Sequence, residues 1–532
     1  MHEFIAKHQG KIAGTLSGFD RLVFRGHLRS ITYPQGMMGY LWANRVLLKN
    51  FGDHVEAVTE RLKAASLAEA KANGRPVEYL NSSNIDKDAI ARNILAKDDV
   101  RNGLACVLSC LETCQKFAIH RNRQKKKLEL QLRPGKCLVL YHYHIHPIFG
   151  FLNARIQTWF PFPIQICLNG REWLARQMQA AGLDYLQQDN CFPWVADWTK
   201  AQRFLDRQLK TRWPKLLNGI ARLLNPIHGE IFRKLPISYY WSVYQHEWAL
   251  DVAFHQAADL RHFYPRWINH AMTTFSTPDV MRFLGKHLTL SGQIHQNFSG
   301  EVITDFKRRA EGVRVKHSLN GNSVKLYDKA HTPKGSVLRA EATIHNGDDF
   351  RVYRRKEGDR KGRMAWRSLR RGVADLHRRA QISHKAAARY LDAFATVDDF
   401  TTLDQLLQRL EQPRQWRGRR VRALRPLADD RALLSAINHG EFAINGFRNP
   451  DLRPVFFPQT TDDKKETRRR SAWISRKLRL LRAHALITKI PSTHRYQLTS
   501  AGRKTIIAIL SALRSTVAQL TPVTAQLTPV AA

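Results

Sequence analysis

Residues 141–147 read YHYHIHP and set His142, His144 and His146 two residues apart. In a strand, residues i, i+2 and i+4 face one way, so three imidazoles would line one side and Tyr141, Tyr143 and Ile145 the other. A two-residue step spans about 6.6 Å, at which neighbouring imidazoles can converge on one ion. The pattern equally suits a core strand rich in histidine, in a chain that carries 23 of them. Further on, ISYYWSVYQHEWALD supplies Tyr239, Tyr240 and Tyr244. Asp20, Asp305, Asp328 and Glu341 offer a different chemistry, a two-metal site with carboxylates drawn from separate strands.

Both HYH and HIH match the His–hydrophobic–His pattern and resemble the metal-binding motif of the HUH endonucleases, which include rolling-circle replication initiators and relaxases. The resemblance implies a divalent ion, Mg2+ or Mn2+, on His142, His144 and His146, with Tyr240 or Tyr244 attacking a DNA phosphate from a later helix. Tyr240-x3-Tyr244 is similar to the paired tyrosines, one helical turn apart, of some phage initiators. SVKLYDK…GSVLRAEATI resembles a stretch of filamentous-phage initiators. The lysine that usually follows the tyrosine is missing, since Tyr244 is followed by QHEW.

The charge balance points to the partner. Lys and Arg number 86 against 45 Asp and Glu, a net charge of +41. An excess of this size repels itself unless a polyanion relieves it, and nucleic acid gains further from counterion release. No apolar run of ~18 residues and no signal-type N-terminus is visible, so a membrane partner is not expected and the chain reads as bacterial-type and cytoplasmic. Six cysteines without a secretory signal read as free thiols rather than a disulfide framework. CVLSCLETC stacks Cys106, Cys110 and Cys114 on one helix face, departs from the CxxxCxxC of radical-SAM clusters, and reads as a helix contact.

At 532 residues the chain is too long for one core, and its expected class is a multidomain α+β protein. A short strand is predicted at GFDRLVFRGHL, then mostly helix to residue 118. From 120, HRNRQKKKLELQL, an RPGK turn and KCLVLYHYHI predict a hairpin, followed by strands at ARIQTWF and PIQICLNG and a helix at REWLARQMQAAG. Residues 195–290 read as helical and rich in aromatics. Residues 312–345 predict a three-stranded meander with Asn-Gly at its first turn. The expected divisions are 1–118, mainly helical; 119–350, an α/β core with a helical insertion and the meander; 351–426, a basic helical segment and linker; 427–512, a compact unit; and 513–532, a disordered tail that repeats AQLTPV. SGFDRLVFRG, QTWFPF, CLNGREWLARQM and TPDVMRFLGKH resemble an uncharacterised bacterial family, a resemblance that implies no activity.

The C-terminal unit predicts helix, helix, basic helix, hairpin and helix. In the third helix Ile474, Leu478, Leu481 and Ala485 share one side, with Arg469, Arg476 and Arg479 opposite and Arg482 at the rim. RKLRLLRAHALITKI…HRYQLTSAGR resembles a winged helix-turn-helix. The resemblance implies that those arginines meet a major groove while His494 and Arg495 sit at the wing. Two further segments interleave indoles with cations: Trp366, Arg370 and Arg371, then Trp416, Arg419 and Arg420, which suits phosphate contact and base stacking. The reading is a nucleic-acid-binding protein, DNA or RNA, serving a mobile element or a structured RNA. The alternatives are a metal-dependent HUH-type endonuclease and a protein-binding scaffold.

Overall fold

The computed structural model describes residues 2–285, 300–309, 312–356, 359, 361–397, 402–439, 442, 446–459, 461–491 and 493–516. Of the expected tail, 517–532 lies outside the described residues. In chain order the strands of the first two-thirds are β1 (Ile12–His27), β2 (Val77–Leu80), β3 (Gly103–Asn122), β4 (Lys127–His146), β5 (Gly150–Gln157), β6 (Ile164–Asn169), β7 (Tyr185–Gln188), β8 (Cys191–Val195), β9 (Tyr240–Phe254), β10 (Val302–Arg309), β11 (Gly312–Leu319), β12 (Asn322–Thr332) and β13 (Gly335–Ile344). Eleven of them form one sheet in the order β10-β11-β12-β13-β9-β1-β6-β5-β4-β3-β2, and β7 and β8 pair separately. The protein is therefore α+β, as its composition and patterning imply. The sheet runs through the expected boundary at 118, because β1 and β3 from the first segment pair with β9 and β4 from the second.

The alternation of side chains decides which face is which. Leu250 and Val252 of β9, Leu338, Ala340 and Ala342 of β13, and Val324 and Leu326 of β12 share one core with Tyr264 and Trp267 of helix Ala257–Thr273 and Ala386 and Tyr390 of helix Leu376–Ala393. Their neighbours in sequence, Asp251, Arg339, Glu341, Lys325 and Lys329, face the other way, so that face of the sheet is polar. The meander turns at Asn320-Gly321, with φ of 51° and 79°. Positive φ at both central residues is what a tight hairpin needs, and Asn-Gly accepts it readily.

Several sequence expectations change. The three cysteines lie on β3, not a helix; a spacing of four also keeps one face of a strand, and they pack with Tyr141 and Tyr143 under helix Lys87–Asp98. RPGK is no turn. It lies inside the 20-residue β4, and the chain reverses at 123–126 instead. Pro134 is tolerated because β5 pairs only with Val139–His146, leaving the earlier part of β4 unpartnered on that side. The stretch expected as helix around Tyr240 and Tyr244 is β9. Trp241 and Val243 point into the core at period two, so the tyrosines alternate outwards.

The basic segments that follow the sheet form two further hairpins. These are β14 (Arg351–Arg354) with β15 (Ala365–Ser368), and β16 (Arg414–Trp416) with β17 (Arg419–Val421). The C-terminal unit has its own core, built by Leu433, Leu434, Leu452, Ile474, Leu478, Leu481, Ile506 and Ile509. Helices Arg431–Ile437, Asn449–Phe456 and Lys464–Ala483, the hairpin β18 (Ile487–Lys489) with β19 (Tyr496–Leu498), and helix Ser500–Ala512 follow in the expected order. The long helix stops at Ala483, so Ala485, expected on its apolar side, is exposed at φ 56°.

Candidate metal centre and the arginine cavity beside it

A bulge in β1 creates the site. Phe19 pairs with Trp248 and Leu22 with His246, so Asp20 and Arg21 together stand opposite Glu247. The extra residue re-aims the strand and turns both side chains to the polar face. On the other flank of β9, Thr343 of β13 pairs with Glu247, which sets Glu341 on the adjacent diagonal position. Asp20, Glu247 and Glu341 each offer a carboxylate oxygen, and these atoms all lie within 4.8 Å of one another. Asp20 and Glu341 are buried and Glu247 is partly open to solvent.

A buried polar network holds the three carboxylates. Arg339 Nη1 donates to Asp20 at 3.0 Å while its Nε and Nη2 grip Asp251 at 2.6 and 2.9 Å. Arg171 shares Asp251 Oδ2 with Arg339, at 2.9 Å. Asn190, from the turn between β7 and β8, donates to both oxygens of Asp20 at 2.9 Å. Lys325, directly opposite Glu341 on β12, donates to Glu341 and lies 3.7 Å from Glu247. Gln245 donates to Glu247 at 2.9 Å. Arg171, Arg339 and Lys325 thus answer four carboxylates, with Lys329 a step away on the Asn190 side chain.

The titration follows from this crowding. Burial pushes Glu247 up to about 7, Glu341 adds repulsion, and Lys325 only partly offsets it. Burial raises Asp20 too, against the pull of Arg339 and with help from Glu341. Burial also works to raise Glu341, but Lys325, Arg339 and the Thr343 hydroxyl outweigh it and hold the carboxyl below its ordinary value. Hard oxygen donors that repel one another in a desolvated pocket match Mg2+ or Mn2+ better than a soft metal. The cluster is geometrically able to coordinate a divalent ion. Two of the four acids weighed from sequence, Asp20 and Glu341, meet here. Asp305 instead pairs with Arg314 at 2.6 Å and Asp328 with His331 at 2.6 Å.

A second register shift, between the Val23–Gln245 and Phe24–Val243 pairs, leaves Tyr244 as an extra residue on the same face as Glu247, about 10 Å along the strand, where it opens a cavity of about 950 Å3. Arg25, Arg29, Arg354, Arg370 and Arg371 line it, with Tyr240, Tyr244 and His345. The Arg25 guanidinium carbon lies 3.4 Å from the centre of the Tyr244 ring and that of Arg29 3.1 Å from Tyr240. Arg370 is tied to Asp375 at 3.0 Å, whereas Arg371 and its partner Asp348 are both largely exposed. The cavity exists because β13 ends at Ile344, and residues 370–372 then run beside the freed edge of β9, where Val243 N donates to Arg371 O at 2.7 Å. Tyr240, Tyr244, Arg370 and Arg371, singled out separately in the sequence, therefore share one cavity.

The histidines do not join them. His142 is fully buried and its Nε2 lies 2.7 Å from Ser66 Oγ on helix Phe51–Ala72. Its ring stacks at 6.4 Å from His144, and His142, His144 and His146 do not form a cluster of three converging ligand atoms among the described residues. Burial pushes His142 down to about 3 and His144 to about 4, with repulsion from the next histidine adding to each. His146 Nδ1 accepts from Ile148 N and Phe149 N at 3.1 and 3.2 Å and shapes the turn after β4. Among the described residues the strand is a histidine-bearing core strand facing helix Phe51–Ala72.

In the C-terminal unit Arg469, Arg476 and Arg479 are exposed, on the side of the helix away from Ile474, Leu478 and Leu481. Arg482 lies over the Trp416 ring at 5.0 Å, and Arg419 and Arg420 project from β17 into solvent. His494 is exposed. Arg495 packs over Tyr353 and Trp366, at 5.4 and 6.0 Å, joining this unit to the β14–β15 hairpin.

No protein-family model matches the chain, and no curated protein matches it. Among solved structures the chain is similar to the di-domain ARO/CYC BexL from the BE-7585A biosynthetic pathway, at 9% identity over 54% of this chain and 88% of that one, with a TM-score of 0.16. A likeness at that level carries no argument about fold or function. What the geometry itself defines is a carboxylate cluster able to hold a divalent cation on the polar face of a large sheet, next to an arginine-lined cavity.

Glu247 is the member of the carboxylate cluster missed in the sequence. Period two over 245–248 sets Glu247 on the face opposite His246 and Trp248, a signal present in the sequence; the register shift at Tyr244, which brings Tyr240 and Tyr244 to that same face, is not.

Proposed function

We propose that this protein is a divalent-metal-dependent phosphodiesterase that acts on nucleic acid, with Asp20, Glu247 and Glu341 as the metal ligands. The convergence of those three carboxylates from β1, β9 and β13 carries the reading. The arginine cavity beside them and the net charge of +41 support a polyanionic substrate. A Mg2+ or Mn2+ ion held by Asp20, Glu247 and Glu341 would supply Lewis-acid activation of a phosphoryl oxygen and of attacking water. The residues of the chain do the rest. Arg21, exposed beside Glu247, and the cavity arginines bind and orient phosphates. Lys325 neutralises Glu341 and stands beside Glu247. Arg339 and Asn190 fix the rotamer of Asp20. The C-terminal unit, read as a winged helix, adds a second grip through Arg469, Arg476 and Arg479.

The test is incubation of the full chain with DNA and RNA, single-stranded and duplex, in Mg2+ or Mn2+. Cleavage that stops in EDTA and in both Glu341→Gln and Glu247→Gln is expected. Absence of product on every substrate, or cleavage that survives both substitutions, refutes the reading. Formation of a covalent adduct lost in Tyr240→Phe or Tyr244→Phe would favour the tyrosine chemistry of HUH enzymes instead.

A further inference from the structure

We infer that the cavity at the end of β13 is a binding channel for single-stranded polynucleotide, with phosphates on Arg29 and Arg371 and bases against the Arg25–Tyr244 and Arg29–Tyr240 stacks. The inference rests on reading the protein as acting on nucleic acid and names the form of that substrate.

Charge is the first support. Five arginines line the cavity, answered by one carboxylate in its wall, Asp348, and one beneath it, Asp375. Behind the wall the fully buried Arg379 donates through Nη2 to Arg370 O, while its Nε and Nη1 find no partner among the described residues. Asp375 and Asp348 only partly answer this buried guanidinium, which lies behind the cavity wall, and burial lowers its pKa to about 10. His27, also in the wall, is lowered by burial and then by repulsion from Arg25 and Arg29. Such a field is relieved by an anion.

Shape is the second support. A volume of about 950 Å3 is at the upper end of small-ligand sites, enough to hold a nucleotide or two and not a double helix. The walls offer flat groups instead of a groove-reading helix. Tyr244 carries Arg25 on its face and meets His345 edge-on at 4.7 Å, and Tyr240 carries Arg29. Layers of guanidinium and aromatic rings suit unstacked bases and the backbone between them, which duplex DNA does not expose. Position is the third. Arg21 and Gln245 continue the same polar face from Tyr244 to the carboxylates, so a strand lying in the channel leads to the metal ligands.

The tyrosines are then binding surfaces, not nucleophiles, and the ring rather than the hydroxyl matters. Fluorescence anisotropy of a labelled strand of about twelve nucleotides, as DNA and as RNA, is measured on the full chain in EDTA. The single strand should bind more tightly than the duplex. Arg29→Ala combined with Arg371→Ala, both exposed side chains whose loss leaves the core intact, should weaken binding at least tenfold and lower the salt slope by about 1.4, two phosphates at about 0.7 each. Tyr244→Phe should stay within twofold of the parent, and Tyr244→Ala should lose roughly tenfold. Preference for duplex, or unchanged binding in the arginine variant with loss instead in Arg476→Ala/Arg479→Ala, overturns the inference. The two proposals fail separately: a chain that binds the strand here and never cleaves keeps the channel and loses the nuclease. A chain that cleaves equally well without Arg29 and Arg371 keeps the nuclease and loses the channel.

Discussion

The pH dependence of metal binding gives the sharpest check on the carboxylate centre. Glu247 holds its proton up to about pH 7, because burial and Glu341 both penalise the charged form. A divalent ion needs the carboxylate, so binding must expel that proton. With the folded value near 7, about one molecule in ten is ready at pH 6 and about nine in ten at pH 8. Apparent affinity for Mn2+ should therefore rise about tenfold between those pH values, with close to one proton released per ion at pH 6. Titration of Mn2+ by electron paramagnetic resonance gives the affinity, and calorimetry in two buffers of different ionisation enthalpy gives the proton count. In Glu247→Gln the ion should bind more weakly and without this pH dependence. The metal-free protein should respond in the opposite sense. The folded value exceeds the ordinary 4.5, so the stability contribution is full below about pH 4.5 and is lost as pH rises through 7, by about 3 kcal/mol at most. Metal-free Glu247→Gln should thus resist urea better than the parent at pH 8. A flat Mn2+ affinity from pH 6 to 8, or identical affinity in the variant, would refute the reasoning.

Three further outcomes follow from the same geometry. Lys325→Met strands Glu341 in the interior, so unfolding in EDTA should come about 3–5 kcal/mol earlier, and Mn2+ should recover part of the loss; recovery is absent if no ion binds. His142→Ala removes the partner of Ser66 and leaves a cavity, so stability should fall by about 2 kcal/mol while Mn2+ affinity is unchanged; a loss of Mn2+ binding would restore the histidines as ligands. Arg476→Ala with Arg479→Ala should weaken duplex binding and flatten its salt slope by about 1.8 with no change in folding, measured by anisotropy against salt and by circular dichroism; an unchanged slope removes the C-terminal unit as a duplex grip.

Much of the local architecture was legible. The Asn320-Gly321 hairpin, the meander, the strands at 150–157 and 164–169 and the helix order of the last hundred residues follow from periodicity and turn chemistry. Errors arose where two periods fit the same residues. Three cysteines spaced four residues apart suit a helix or a strand, and Tyr240-x3-Tyr244 does too; the pairing of β3 with β4 and of β9 with β1 and β13 settled both as strands. RPGK carries turn residues, yet a strand without a partner on one side tolerates them. The basic run RNRQKKK holds neither Gly nor Pro to mark a reversal, but the turn falls there, at residues 123–126, where Lys126 takes φ 45°.

Composition alone determined the large positive charge, because net charge depends on residue types and not on their arrangement, and the periodicity of the chain implied the α+β class. The centre was decided only by the tertiary fold. Asp20, Glu247 and Glu341 are more than 90 positions apart in each pair, and a one-residue bulge in β1 aims the first of them at the other two. Side-chain direction flips with every residue of a strand, so which carboxylates meet depends on the register of β1, β9 and β13, a property of the pairing that no single segment encodes.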